Sequence, residues 1–167
     1  MIRNYPRTTV AALVLSAAGF AGLALHEGYT DRAIIPVPGD VPTMGLGSTV
    51  KEDGTRVQMG DTITPPKAIR LSVTHIAKDE TKLRRCFGDA KLYQHEWDAY
   101  NMLGYNVGAD AVCRSSIPVK VQAEKYEAAC NTILDFYNAG GKDCRPRNSG
   151  CYGVWLRRQE EHALCLG

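Results

Sequence analysis

The stretch Thr8-Thr9-Val10-Ala11-Ala12-Leu13-Val14-Leu15-Ser16-Ala17-Ala18-Gly19-Phe20-Ala21-Gly22-Leu23-Ala24-Leu25 runs straight into His26-Glu27-Gly28-Tyr29 and is followed by Thr43-Met44-Gly45-Leu46-Gly47. The first run carries no charge, yet Thr8, Thr9, Ser16, Gly19 and Gly22 dilute its Leu and Phe residues. Eighteen residues at helical rise span about 27 Å, barely the hydrocarbon thickness of a bilayer. Arg3 and Arg7 precede the run, which by the positive-inside rule leaves the N-terminus in the cytoplasm and sends the rest across the membrane. Three readings follow: an uncleaved, weakly held membrane segment; a cleaved signal peptide, with Gly22-Leu23-Ala24 as a small-x-small site; and a buried N-terminal helix. Cleavage there would strand Glu27 beside a new terminus with no helix before it, so the uncleaved reading is preferred, because functional groups need rigid support. The buried-helix reading is compatible with it: a segment this marginal can leave lipid and pack on a folded core.

Beyond Leu25 the pattern is irregular at first. Tyr29 to Thr49 is broken by prolines and glycines, including Pro36-Val37-Pro38-Gly39-Asp40-Val41-Pro42, and reads as turns and a small hairpin. Thr64-Pro65-Pro66 is a helix start. Ile69, Val73, Ile76 and Leu83 then mark one amphipathic helix, and Gln94 to Tyr105 a second, with Trp97, Tyr100 and Leu103 at three-residue steps. Val119 to Phe136 reads as a third, stopped by Gly140-Gly141, and Tyr152 to Leu164 as a short last helix. The expected class is α+β and mainly helical, a small β-hairpin lobe plus a helical bundle with a cleft between them as the ligand site.

Composition narrows the function. Lys and Arg number 20 against 18 for Asp and Glu, a net charge of +2, too small for binding driven by counterion release from nucleic acid. The six cysteines, Cys86, Cys113, Cys130, Cys144, Cys151 and Cys165, all lie in the C-terminal half. Behind an export-like N-terminus an even count reads as three disulfides, with Cys144–Cys151 as the one local pairing. Metal binding is the rival reading, but no C-x-x-C pair exists and the four histidines stand at no zinc-site spacing, so neither metal nor cofactor is expected.

His26-Glu27-Gly28, Pro42-Thr43-Met44-Gly45-Leu46-Gly47, Gln94-His95-Glu96-Trp97-Asp98-Ala99 with Asn106-Val107-Gly108, Tyr137-Asn138-Ala139-Gly140-Gly141 and Leu156-Arg157-Arg158-Gln159-Glu160-Glu161 together resemble the phage-type lysozymes of glycoside hydrolase family 24. The dilute first segment is similar to that of the signal-anchor-release endolysins within the family. The resemblance implies a lysozyme-like fold and an endolysin that hydrolyses the β-1,4 bond between N-acetylmuramic acid and N-acetylglucosamine of peptidoglycan. It also implies host lysis by a protein first tethered N-in to the inner membrane and then periplasmic, active as a monomer. On this reading residues 1–25 are a releasable anchor and 26–167 the catalytic domain.

Glycoside hydrolysis needs a protonated carboxyl beside the leaving oxygen, and Glu27 is the candidate general acid. The family pattern then has an acidic residue nine positions on and a threonine fifteen on. This chain has Pro36 at the first place, and Thr43 comes sixteen positions after Glu27. Thr43 is the candidate for positioning water. Asp40, on the proline-rich hairpin, is the candidate for the missing carboxylate, against the everyday turn chemistry of Gly-Asp; Asp31 ranks below it. Gln94 and Asn106 match cleft positions and are candidates for binding N-acetyl groups, with helix capping as the alternative. Trp97, Tyr100 and Tyr105 read as core before sugar platforms, and Arg157 and Arg158 as solvent-facing before carboxylate-binding. Two other classes stay open, a lytic transglycosylase using Glu27 alone and a non-catalytic, membrane-tethered glycan-binding protein.

Overall fold

A computed structural model describes residues 6–36 and 39–167; Arg3, Val37 and Pro38 lie outside the described residues. In chain order the elements are β1 (Thr8–Thr9), a 3-10 turn (Val10–Ala12), α1 (Ala17–Glu27), β2 (Thr30–Ile34), β3 (Thr43–Gly45) and α2 (Pro65–Phe87). There follow β4 (Lys91–Leu92), α3 (Gln94–Val107), α4 (Ala109–Arg114), α5 (Ile117–Gln122), α6 (Tyr126–Asn131), a second 3-10 turn (Thr132–Asp135), β5 (Asn138–Ala139), β6 (Lys142–Asp143) and α7 (Tyr152–Leu166). The chain forms two compact units, Phe20–Lys78 and the residues up to Gly19 together with Asp79–Gly167. It passes from one to the other inside α1 and again inside α2.

The larger unit is helical and is built around α3. Trp97, Tyr100 and Leu103 are fully buried, as their three-residue spacing requires of one helix face. Phe87 meets the Trp97 ring edge-on, centroids 6.0 Å apart, and Leu83, Leu92, Val112, Ile117 and Ile133 close the same cluster. The cysteines are paired as Cys86–Cys113, Cys130–Cys165 and Cys144–Cys151, with none free. The N-terminal residues belong here too. β1 pairs antiparallel with β4, and Val10 and Leu13 are buried in the cluster. Among the described residues no helix is long and apolar enough to cross a membrane.

The smaller unit is the hairpin lobe. β2 and β3 pair antiparallel through Thr30–Gly45 and Ile34–Thr43, and the register shifts between these pairs, the mark of a β-bulge. Backbone bonds from Ala33 to Asp61 and from Ile63 to Asp31 tie β2 to the following loop. A separate small core of Ala33, Met44, Val57, Ile63, Ala68 and Leu71 lies beneath.

Several expectations are corrected. On α2 the buried apolar positions are Ala68, Leu71, Ile76, Leu83 and Phe87, while Ile69 and Val73 are 48 % and 52 % exposed, so the inward stripe keeps Ile76 and Leu83 but passes beside Ile69 and Val73. The span Val119 to Phe136 is not one helix. It breaks at Ala123-Glu124-Lys125, where Glu124 takes φ 57°, a left-handed conformation a continuing helix cannot contain. Gly140 and Gly141 do not stop a helix; with φ of 56° and 77° they form the two-residue turn of the β5–β6 hairpin. Arg158 does not face water: it is fully buried.

Candidate active site

Glu27 is the last residue of α1. Gly28 follows with φ 67° and its N–H bonds to the Ala24 carbonyl, the glycine-based helix end that only a residue without Cβ adopts cheaply. The helix thus stops at the candidate carboxyl, and the chain turns into β2. Tyr29 anchors that turn by donating its hydroxyl to the Ile63 carbonyl at 2.8 Å. Glu27 itself is half-buried.

The second strand of the hairpin returns towards this helix end. Thr43 opens β3 and is half-buried, paired with Ile34. Immediately after it Met44 and Ser48 exchange backbone hydrogen bonds, both at 3.0 Å, closing a tight turn over Gly45-Leu46-Gly47. A Cβ on Gly47 would lie 2.8 Å from Glu27 Oε2, so the backbone of that turn is packed against the candidate acid. Gly47 also sits at φ 75°. Its place in the Thr43–Gly47 motif was visible in the sequence, but its contact with Glu27 was not, because no local pattern encodes a long-range approach.

Asp40 is exposed and its Oδ1 accepts the Val41 N–H at 2.8 Å. The adjoining residues Val41 and Pro42, with Thr49, Val50, Arg56 and Val57, line a cavity of about 340 Å³ in the same unit. Asp31 is exposed beside Arg32, 3.5 Å away. Two further carboxylates of the lobe are held ionised by turn bonds. Asp53 lies below the usual carboxylate range chiefly through the Thr55 hydroxyl, and Asp61 through the Gln58 N–H. Groups that accept such bonds favour the charged form and make poor proton donors.

Gln94 and Asn106 belong to the helical unit. Gln94 Nε2 donates to the Val14 carbonyl at 2.8 Å and to Asp98 Oδ1 at 2.9 Å, and Asn106 Oδ1 accepts from the buried Arg158 at 3.0 Å. Arg158 also pairs with Glu161 Oε1 at 2.8 Å, both side chains fully buried. Sequence reasoning missed this pair: two adjacent arginines on an amphipathic helix carry no local sign of which one turns inward.

The phage lysozyme family model matches residues 24–161, nearly the whole span from the candidate acid to the end of α7. The chain belongs to the phage lysozyme family. An endolysin of Salmonella phage P22 is 30 % identical over 129 residues, covering 77 % of this chain and 86 % of the relative. A SAR-endolysin of Haemophilus phage HP1 is 29 % identical over 141 residues, covering 78 % and 69 %. The crystal structure of a mutant P22 lysozyme superposes with a TM-score of 0.74 at 28 % identity, covering 93 % of this chain and 99 % of that one. The resemblance, the mainly helical α+β class and the enzyme type expected from the sequence therefore stand: this member of the family is a glycoside hydrolase, a muramidase acting on peptidoglycan.

Proposed function

We propose that the enzyme is an endolysin that lyses the host by hydrolysing the β-1,4 bond between N-acetylmuramic acid and N-acetylglucosamine, with Glu27 as general acid. One observation carries this reading: Glu27 ends a helix against a turn whose Gly47 leaves no room beyond its carboxylate. A carboxyl held by rigid elements on both sides can deliver its proton to one place. Thr43, on the strand leading into that turn, positions the attacking water. Asp40 takes the part of the carboxylate that the family has where this chain has Pro36, and a shift of register in β2 is the kind of feature that absorbs the extra residue between Glu27 and Thr43. Gln94 and Asn106 contact N-acetyl groups; with its oxygen engaged by Arg158, Asn106 offers its amide N–H₂.

The test is turbidity loss of purified cell walls. Glu27→Gln is expected to cut the rate by about 100-fold or more, the usual worth of a placed acid, while leaving wall binding intact. Unchanged activity would remove Glu27 from the chemistry. Because Pro36 removes the family's water-activating acid, the products need identification. Reducing ends are expected; 1,6-anhydro ends would make the enzyme a transglycosylase.

The reading extends to control. Residues 1–25 tether the chain N-in to the inner membrane, the domain faces the periplasm, and release lets the monomeric enzyme act. A relative named SAR-endolysin supports it, as does the dilute hydrophobicity of Thr8–Leu25. Cell fractionation checks it: the full chain should appear in membranes before it appears in the periplasm.

A further inference from the structure

We infer that the cavity of the smaller unit between Val41-Pro42 and the ribbon of residues 49–57 is a subsite for the acidic peptide carried by the muramic acid of the substrate, with Arg56 as the receptor of a peptide carboxylate. The inference rests on the peptidoglycan reading above and deepens it, and every residue that forms the subsite lies in that one unit.

Local bonds build the wall that carries Arg56. The Lys51 N–H donates to the Thr55 carbonyl at 2.8 Å and the Val57 N–H to the Thr49 carbonyl at 2.9 Å. These two bonds flank the Val50–Arg56 bridge, which is therefore a non-hydrogen-bonded antiparallel pair. In such a pair both side chains leave the same face of the ribbon, with their Cβ atoms at closest approach. Val57, next in the strand, turns to the lobe's core and is buried, and alternation along a strand then sends Arg56 outward. The turn joining the two sides is held by the Gly54 N–H on the Lys51 carbonyl at 3.0 Å, with Gly54 at φ 82°. Asp53 locks it further, its Oδ1 accepting the Thr55 N–H at 2.9 Å and hydroxyl at 2.6 Å. A receptor mounted on a ribbon that is already ordered loses less entropy on binding.

The lining states what fits. Val41 and Val50 are 47 % and 41 % exposed, and with Pro42 they set apolar walls around one guanidinium in about 340 Å³. Methyl-bearing walls with a single cation suit a short chain that alternates methyl groups with carboxylates, and a peptide of alanine and diacid residues is such a chain. A sugar ring fits less well, since no aromatic face is among the lining residues. The positive charge is available. Arg32, Lys51 and Arg70 pair with Asp31, Asp61 and Glu52, and among the described residues Arg56 has no such pair. Asp40 and Asp53 are engaged by N–H groups of their own turns.

The cavity also lies on the substrate's path. Pro42 precedes Thr43, which opens the strand leading to the turn packed against Glu27. A glycan lying along that strand brings its peptide tethered to the muramic acid, so the carboxylate meets Arg56 at a high effective concentration.

The test uses the full chain and two readouts. In the first, the free acidic tetrapeptide of the wall is titrated into wild type, Arg56→Met, Arg56→Lys and Glu27→Gln while the methyl resonances of Val41, Val50 and Val57 are followed. Saturable shifts are expected in wild type and in Glu27→Gln, with affinity weakened about tenfold in Arg56→Met and less in Arg56→Lys, which keeps the charge. In the second, kcat and KM are measured on glycan strands with and without their peptides. Wild type is expected to prefer peptide-bearing strands about tenfold through KM, and Arg56→Met to lose most of that preference. Val50→Glu, which sets a carboxylate opposite Arg56, should lose the shifts and the preference alike. Absent shifts in wild type, or a preference that Arg56→Met leaves intact, would overturn the inference. Full wall lysis by Glu27→Gln would instead remove the proposed acid, a result on which the peptide titration does not depend.

Discussion

Two glycines two residues apart, Gly45 at the end of β3 and Gly47 just beyond it, show how single positions divide stability from activity. At Gly47 an added Cβ meets the carboxylate of Glu27 at 2.8 Å, whereas at Gly45 it meets Ala68 Cβ on α2 at 3.0 Å; both residues have positive φ. Gly47→Ala is therefore expected to cost about 1–2 kcal/mol of stability and to displace the acid, lowering wall lysis per folded molecule at least tenfold. Gly45→Ala should cost more stability but spare activity per folded molecule. Denaturant unfolding paired with turbidity rates separates the two. At Arg158 the issue is an ion pair away from water: Arg158→Met takes the guanidinium from the buried Glu161 carboxylate and should destabilise by about 3–5 kcal/mol. Tyr100 gives a pH signature. Burial pushes its phenol well above the ordinary tyrosine value. With the folded pKa raised, the contribution is complete below about pH 10 and is lost as pH rises beyond it. Tyr100→Phe should flatten the loss of stability seen in alkaline unfolding curves.

At the scale of elements, α2 shows what periodicity alone misses. Ile69 and Val73 fit a helical apolar stripe as well as Leu71 and Ile76 do, yet only the latter are buried, because the face is chosen by what packs on it. Val73→Lys should change stability by less than about 0.5 kcal/mol, while Leu71→Ala should cost about 2–5 kcal/mol, both by denaturant midpoint. The Cys130–Cys165 bridge spans 35 residues and ties α6 to α7. Replacing both cysteines by Ala should cost about 2–4 kcal/mol, and more than the same change at Cys144–Cys151, which closes a separation of 7. An even cysteine count behind an export-like N-terminus implies the disulfides, but only the locally closed Cys144–Cys151 pair is legible there, since the other two depend on which helices become neighbours.

For the whole molecule the open question of control turns on the first segment, and its residues are not equivalent. Gly19 lies against Asp98, so enlarging it would raise hydrophobicity and disturb the folded packing together. Ala18 and Ala21 are exposed, and Ala18→Leu with Ala21→Leu should raise hydrophobicity alone. That double variant is expected to stay in the membrane fraction longer and delay lysis, with normal activity once solubilised; wild-type timing would count against release. By itself the sequence determined the family, the hairpin, α3 and its buried face, the oxidised cysteines, and Glu27 as the acid to test, because these follow from local spacing, turn chemistry and composition. Only the tertiary structure decided that Gly47 backs onto Glu27, that Arg158 turns inward, that Glu80 and Asp98 grip a stretch readable as a plain apolar helix, and that Glu96 holds the arginine before it. Those contacts join residues 20 to 89 positions apart, and a side chain's distant partner leaves no periodic trace in the chain around it.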